Sequence, residues 1–190
     1  MLSGFLKAHT GNVRVRALEH GDPEIITVLT HIAWTHSQLG HDDTAAETMH
    51  DVLDVQREVL GREHRDTLEA MANTAYLYNK AKRYARAQAL AESLCATRDR
   101  VLGPTHSETF SAESLLLFIY INSRQHKKAA TLAKAVYRKQ LPILGPDHED
   151  VAAVKSAMED SEEAIMLGSL GHLGIAAVQT WWSSKYRERI

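Results

Sequence analysis

The stretch Leu60 to Leu68, LGREHRDTL, decides the fold, because its skeleton returns from Leu102 as LGPTHSETF and from Leu144 as LGPDHEDVA, 42 residues on each time. A fixed period of this size marks a chain assembled from copies of one supersecondary unit that stack on each other. Between the copies, apolar residues recur at helical spacing and nowhere alternate as they would on a half-buried strand. The expected architecture is all-α, two antiparallel helices per period.

Asp22-Pro23-Glu24 is a helix start, a capping side chain followed by a proline whose missing N–H costs nothing in the first turn. The run Ile25, Ile26, Leu29, Ile32 and Ala33 carries that helix to about Gln38, where Leu39-Gly40-His41 breaks it with a glycine suited to a left-handed cap. A second helix is predicted from Asp43 to Val59, with Ala45, Met49, Val52, Leu53 and Leu60 inward. The plan repeats as Asp66–Lys80 with Tyr84–Val101, then as Glu108–Asn122 with His126–Leu141, where Pro142 should end the helix early. A last first-helix runs from Asp150 to Met166. Residues 1–21, with Gly4 and Gly11, read as a degenerate leading helix or truncated half-repeat; 22–165 hold the repeats; 166–190, with Gly168, Gly171 and Gly174, read as a C-terminal capping helix.

With 190 residues, 44% hydrophobic and 24% charged, the composition is that of an ordinary globular domain, and a net charge of −2 gives no global pull toward nucleic acid or membrane. A single cysteine, Cys95, excludes an internal disulfide and is expected as a buried, inert thiol. The N-terminal MLSGFLKAHTGNVRVR lacks a secretory apolar core, so a cytoplasmic location is expected.

In register, Ala33 aligns with Ala75, Tyr78 with Tyr120, and Ala45, Ala87 and Ala129 with one another. Together with Leu60, Gly61, His64, Thr67, Leu68, Asn73 and Tyr84, this pattern resembles the tetratricopeptide repeat, in the long-linker form found in kinesin light chains and fungal signalling proteins. The resemblance implies an α-solenoid, a right-handed superhelix with first helices on a concave face. It also implies a non-catalytic adaptor or scaffold that holds a protein or peptide there. The alternative is the repeat tail of a larger signal-transducing NTPase of the fungal sensor type. Two departures stand out: the proline that follows the turn histidine in the family is Arg65, Ser107 and Glu149 here, and the small crossing residue becomes Leu117.

By the same resemblance, residues just after the crossing alanine face the groove. Here these are Trp34, Tyr76 and Phe118, all aromatic; one helical turn earlier stand His31, Asn73 and Leu115, and one turn later Ser37, Asn79 and Ile121, with Gln38 at the helix end. Flat rings beside polar groups suit an extended or helical peptide; the alternatives are that the rings serve packing between repeats, or that the chain's own N-terminal or C-terminal segment fills the groove. The family uses asparagine at the Asn73 position to hold ligand backbone, and His31 and Leu115 replace it in the other units. The run LLLFIYI, Leu115 to Ile121, is apolar all round its helix and must be covered on every side. Asp160 and Glu163 lie in an acidic stretch, so a ligand with apolar anchors and a basic end is expected.

Other constellations read as structural. His64, His106 and His148 occupy equivalent turns, too far apart to share a metal ion, and are expected to bond the linker and cap the following helix. Glu47 and His50, with Asp51 and Asp54, lack the second set that a di-iron bundle needs. His36, His41, Asp42 and Asp43 mark a solvated turn. No phosphate loop, carboxylate pair or nucleophile elbow points to an enzyme, and no cofactor is implied. Arg124, Lys127, Lys128, Lys134, Arg138 and Lys139 read as a solvated back face. At the C-terminus Trp181 and Trp182 precede Lys185, Tyr186, Arg187 and Arg189, and the stripe Val178, Trp182 and Tyr186 reads as a cap docked on the last repeat, with interfacial membrane binding or docking to a partner as the alternatives.

Overall fold

Linker chemistry sets where each helix begins. In the computed structural model, which describes residues 23–166, seven helices follow in order: α1 Pro23–Gln38, α2 Asp42–Val59, α3 Arg65–Lys80, α4 Tyr84–Leu102, α5 Ser107–Asn122, α6 His126–Leu144 and α7 Glu149–Met166. No strand occurs among the described residues. The expectations for residues 1–21 and for the capping segment, Trp181 and Trp182 included, lie outside them.

The turn histidines act as caps. His64 and His106 are extended N-cap residues (φ −63°, ψ 142° and φ −70°, ψ 142°), and each Nδ1 accepts the N–H two residues on, from Asp66 and Glu108, at 3.2 Å. His148 accepts from the N–H of Asp150 at 3.1 Å in the same way. An imidazole in this role must leave Nδ1 unprotonated. It satisfies one of the donors that every helix start leaves without an intrahelical partner. Buried threonines brace the same corner: Thr67 donates to the Gln56 carbonyl at 3.2 Å and Thr109 to the Gly103 carbonyl at 2.8 Å.

The turn inside each pair repeats its backbone too. Gly40, Lys82 and Arg124, spaced by the period, all sit in the left-handed region at φ 79°, 60° and 58°. Glycine reaches that region freely, whereas a lysine or arginine is strained there.

Two compact units divide inside α4, the first ending at Leu90 and the second starting at Ala91. In the first, α1 packs on α2 and α2 on α3; in the second, α5 packs on α6 and α6 on α7. Ala33, Ala75, Ala45, Ala87 and Ala129 are all fully buried, as residues at close helix crossings should be, and Leu117 is 2% exposed. Two expectations fail. Helix α6 runs through Pro142 to Leu144; Pro142 and Arg138, whose carbonyl loses its helical donor, are both exposed, so water can serve that carbonyl. Leu60 is 39% exposed, because it caps α2 at the point where the chain turns away from the core.

Candidate partner-binding site

In the first unit the helical rotation of about 100° per residue carries the position after each crossing alanine out of the core. Trp34 on α1 and Tyr76 on α3 are both half-buried, and their rings meet at 5.9 Å between centroids with a 38° tilt. Around them, His31 and Gln38 are exposed and Asn73 is half-buried. Asn79 is buried, and its Oδ1 has no hydrogen-bond donor.

An ionic latch stands at one end of this face. Lys80 Nζ donates to the carbonyl and hydroxyl of Ser37 at 2.6 and 2.8 Å and lies 3.0 Å from Asp42. Arg83 pairs with Asp43 at 2.8 Å and also with Glu47, which Arg86 reaches at 3.0 Å. The turn read as merely solvated is therefore tied to the next repeat, and Glu47 is committed to arginines. His50 lies edge-on to Tyr78 at 6.0 Å. Among the described residues no group of histidine, cysteine and carboxylate side chains is arranged to hold a metal.

The second unit places its predicted residues differently. Leu115 is fully buried, and Phe118 and Ile121 are each 6% exposed, within a buried run from Ala112 to Ile121. Full cover is what an all-round apolar helix requires. Several polar groups enter that interior with partners, whereas the fully buried amide of Gln140 has no hydrogen-bond partner. Tyr120 donates to Glu92 at 2.8 Å; burial, then the hydrogen bond to that carboxylate, pushes its hydroxyl up to about 12. Arg98 holds Glu108 through both its carboxylate, at 3.3 Å, and its carbonyl, at 3.0 Å. Glu113 pairs with Lys139, yet burial outweighs that partner and raises its pKa. Cys95, expected to be buried, is half-buried; desolvation first, then Glu113, pushes its thiol up to about 12, which leaves little of the reactive thiolate near neutrality. On α7, Asp160 is half-buried, and burial followed by Glu163 and Glu159 raises its pKa.

Two periodic features escape a reading of apolar positions alone. Arg86 lies 5.4 Å from the centre of the Tyr78 ring and Lys128 5.4 Å from that of Tyr120, the same pair one period apart. Gln56, Arg98 and Gln140, also one period apart, are buried at 8%, 6% and 0% exposure. Long polar residues recurring at the core-facing register of each second helix were the available signal.

Residues 25–66 and 67–108 each match the family model of the tetratricopeptide repeat. The matched segments are tetratricopeptide repeats. Solved structures agree on the fold of such repeats. A protein described as a kinesin light chain with nearly identical TPR-like repeats, from Podosopora anserina, superposes with a TM-score of 0.70 at 18% identity, covering 94% of this chain and 86% of that one. A single-residue variant of that protein gives 0.72 at 19%, covering 93% and 83%. BtubC (BKLC) from P. vanneervenii gives 0.66 at 16%, covering 88% of this chain and 65% of that one. No curated protein matches at a significant level. Tetratricopeptide repeats are, as a class, protein-interaction modules. No helix among the described residues is long and apolar enough to cross a membrane.

Proposed function

We propose that the chain is a non-catalytic adaptor that holds a peptide segment of a protein partner against its first helices. The observation that carries this reading is the half-buried Trp34–Tyr76 ring pair, which keeps aromatic surface open to solvent while the alanines beneath it are sealed. Exposed aromatic area of this kind gives contact at small entropic cost. His31, Asn73 and Gln38 supply hydrogen bonds at its edge, and the unpartnered Oδ1 of Asn79 is an acceptor awaiting a donor. Leu115, Phe118 and Ile121 stand at the equivalent register of α5 and would contribute apolar contact only once uncovered. A basic ligand end suits Asp160, whose charge a nearby cation would relieve.

The test is selection of peptides from a random display library on the wild type and on the Trp34→Ala/Tyr76→Ala variant. Selected peptides should carry aromatic or aliphatic anchors with a Lys or Arg end, and the variant should lose them while keeping its helical spectrum and melting within a few degrees. Undiminished binding to the variant, or its collapse on heating, would assign the ring pair to packing.

A further inference from the structure

The turn joining α5 to α6 and the end of α7 border a cavity of about 470 Å³. Its lining includes Arg124, His126, Lys127 and Lys128, with Ala164 and Ile165 as an apolar floor. We infer that this cavity is a second docking surface, for an acidic helical peptide segment of a partner protein.

The first unit shows what such a basic turn takes. There Lys80, Arg83 and Arg86 are each met by acids at the start of α2: Asp42, Asp43 and Glu47. One period on, those acid positions are Tyr84, Ala85 and Ala89, so no acid stands at the register that would answer Lys128, the counterpart of Arg86, which among the described residues keeps only its contact with the Tyr120 ring. Lys127 adds a cation where the first two repeats have Asp43 and Ala85, and Arg124 keeps the charge of Lys82 where the first repeat has Gly40. Among the described residues Arg124, Lys127 and Lys128 are all exposed and none forms an ion pair, whereas Lys134 and Lys139 farther along α6 meet Glu162 and Glu113.

These cations also stand at the wrong end of their helix. No acidic residue lies in the first turn of α6, and no side chain caps it. Positive charge there opposes the helix dipole. A carboxylate-bearing segment would relieve cations and dipole together, and Ile165, 40% exposed, offers an aliphatic contact beside them. The cavity is of ordinary ligand-site size, about 300 to 1,000 Å³.

The probe is the chain's own acidic helix start, a synthetic peptide of residues 41–53, HDDTAAETMHDVL, added to the isotope-labelled 190-residue chain. Amide shifts should move at His126, Lys127 and Lys128. Affinity should drop roughly tenfold in the R124Q/K127Q/K128Q variant, and also when the peptide carries D42N, D43N and E47Q. If the triple variant unfolds through loss of the Lys128–Tyr120 contact, R124Q/K127Q decides, with a severalfold loss expected. No shift with the acidic peptide, equal shifts with its amidated form, unchanged affinity of the variants, or displacement by equimolar inorganic phosphate would each overturn the inference. The Trp34→Ala/Tyr76→Ala variant should bind this peptide normally, which separates the surface from the aromatic face.

Discussion

Helices α3 and α5 occupy the same place in successive repeats and live in opposite environments. On α3, Asn73 and Tyr76 are half-buried, and the buried residues alternate with reachable ones; on α5, everything from Ala112 to Ile121 is buried. One backbone plan thus serves as a displayed surface in the first unit and as a core element in the second. The period fixes which residues are equivalent, and side-chain chemistry decides what equivalence is used for. Met71 is buried in the first unit without electrostatic cost, whereas its counterpart Glu113 is buried with Lys139 as company.

The strongest way to break this comparison is truncation of matched rings. Phe118→Ala should cost about 3 to 5 kcal/mol of stability, the cost of emptying a filled site, and Tyr76→Ala well under half of that. Chemical denaturation of both variants measures the difference, and equal losses would erase the distinction between the two helices.

A smaller effect should appear in pH dependence. Glu113 has a raised folded pKa, so the stability it confers is present below the ordinary glutamate range and is lost as pH rises through that raised value. Glu113→Gln, neutral throughout, should flatten this part of the profile, and the wild type should lose ground to the variant as pH rises across that window. Melting scans in a pH series would show it, and parallel profiles would remove Glu113 as the cause.

The smallest effect sharpens the shared features. Lys82 sits at φ 60° where the first repeat has Gly40. Lys82→Gly should raise stability by about 0.5 to 1 kcal/mol, the left-handed strain relieved less the chain entropy that glycine adds. A melting temperature that falls instead would mean that the Lys82 side chain contributes more than its backbone costs.

Helix order and most boundaries were legible in the sequence, because their signals are local. A histidine reaches its own N–H two residues away, Gly40 marks a turn, and alanines mark crossings, so α3 and α4 start and stop within a residue of the reading. Pro142 misled because a proline ends a helix only where its neighbours cannot tolerate the orphaned carbonyl, and here solvent does. Leu60 misled because helical periodicity was carried one residue past the helix. For the candidate site, the period placed Trp34 and Tyr76 in the same register, and the structure brings their rings together. The burial of Phe118 was legible as well, because the run from Leu115 to Ile121 is apolar all round its helix and demands cover, a demand that competes with the groove position assigned to Phe118 by register. The ionic latch was missed because its two sides lie about one period apart in the chain, where single-helix patterns do not look.

The histidine caps carry a consequence for how such a chain can lengthen. Each reaches only two residues forward, so every period holds its own start signal complete. Cutting out or duplicating one block between Gly61 and Gly103 leaves each of these signals beside its partner, whereas an insertion between a linker histidine and the helix it starts would part them. The linker glycine is therefore a natural joint for genetic growth, and the chain can gain or shed repeats without relearning how any one of them begins.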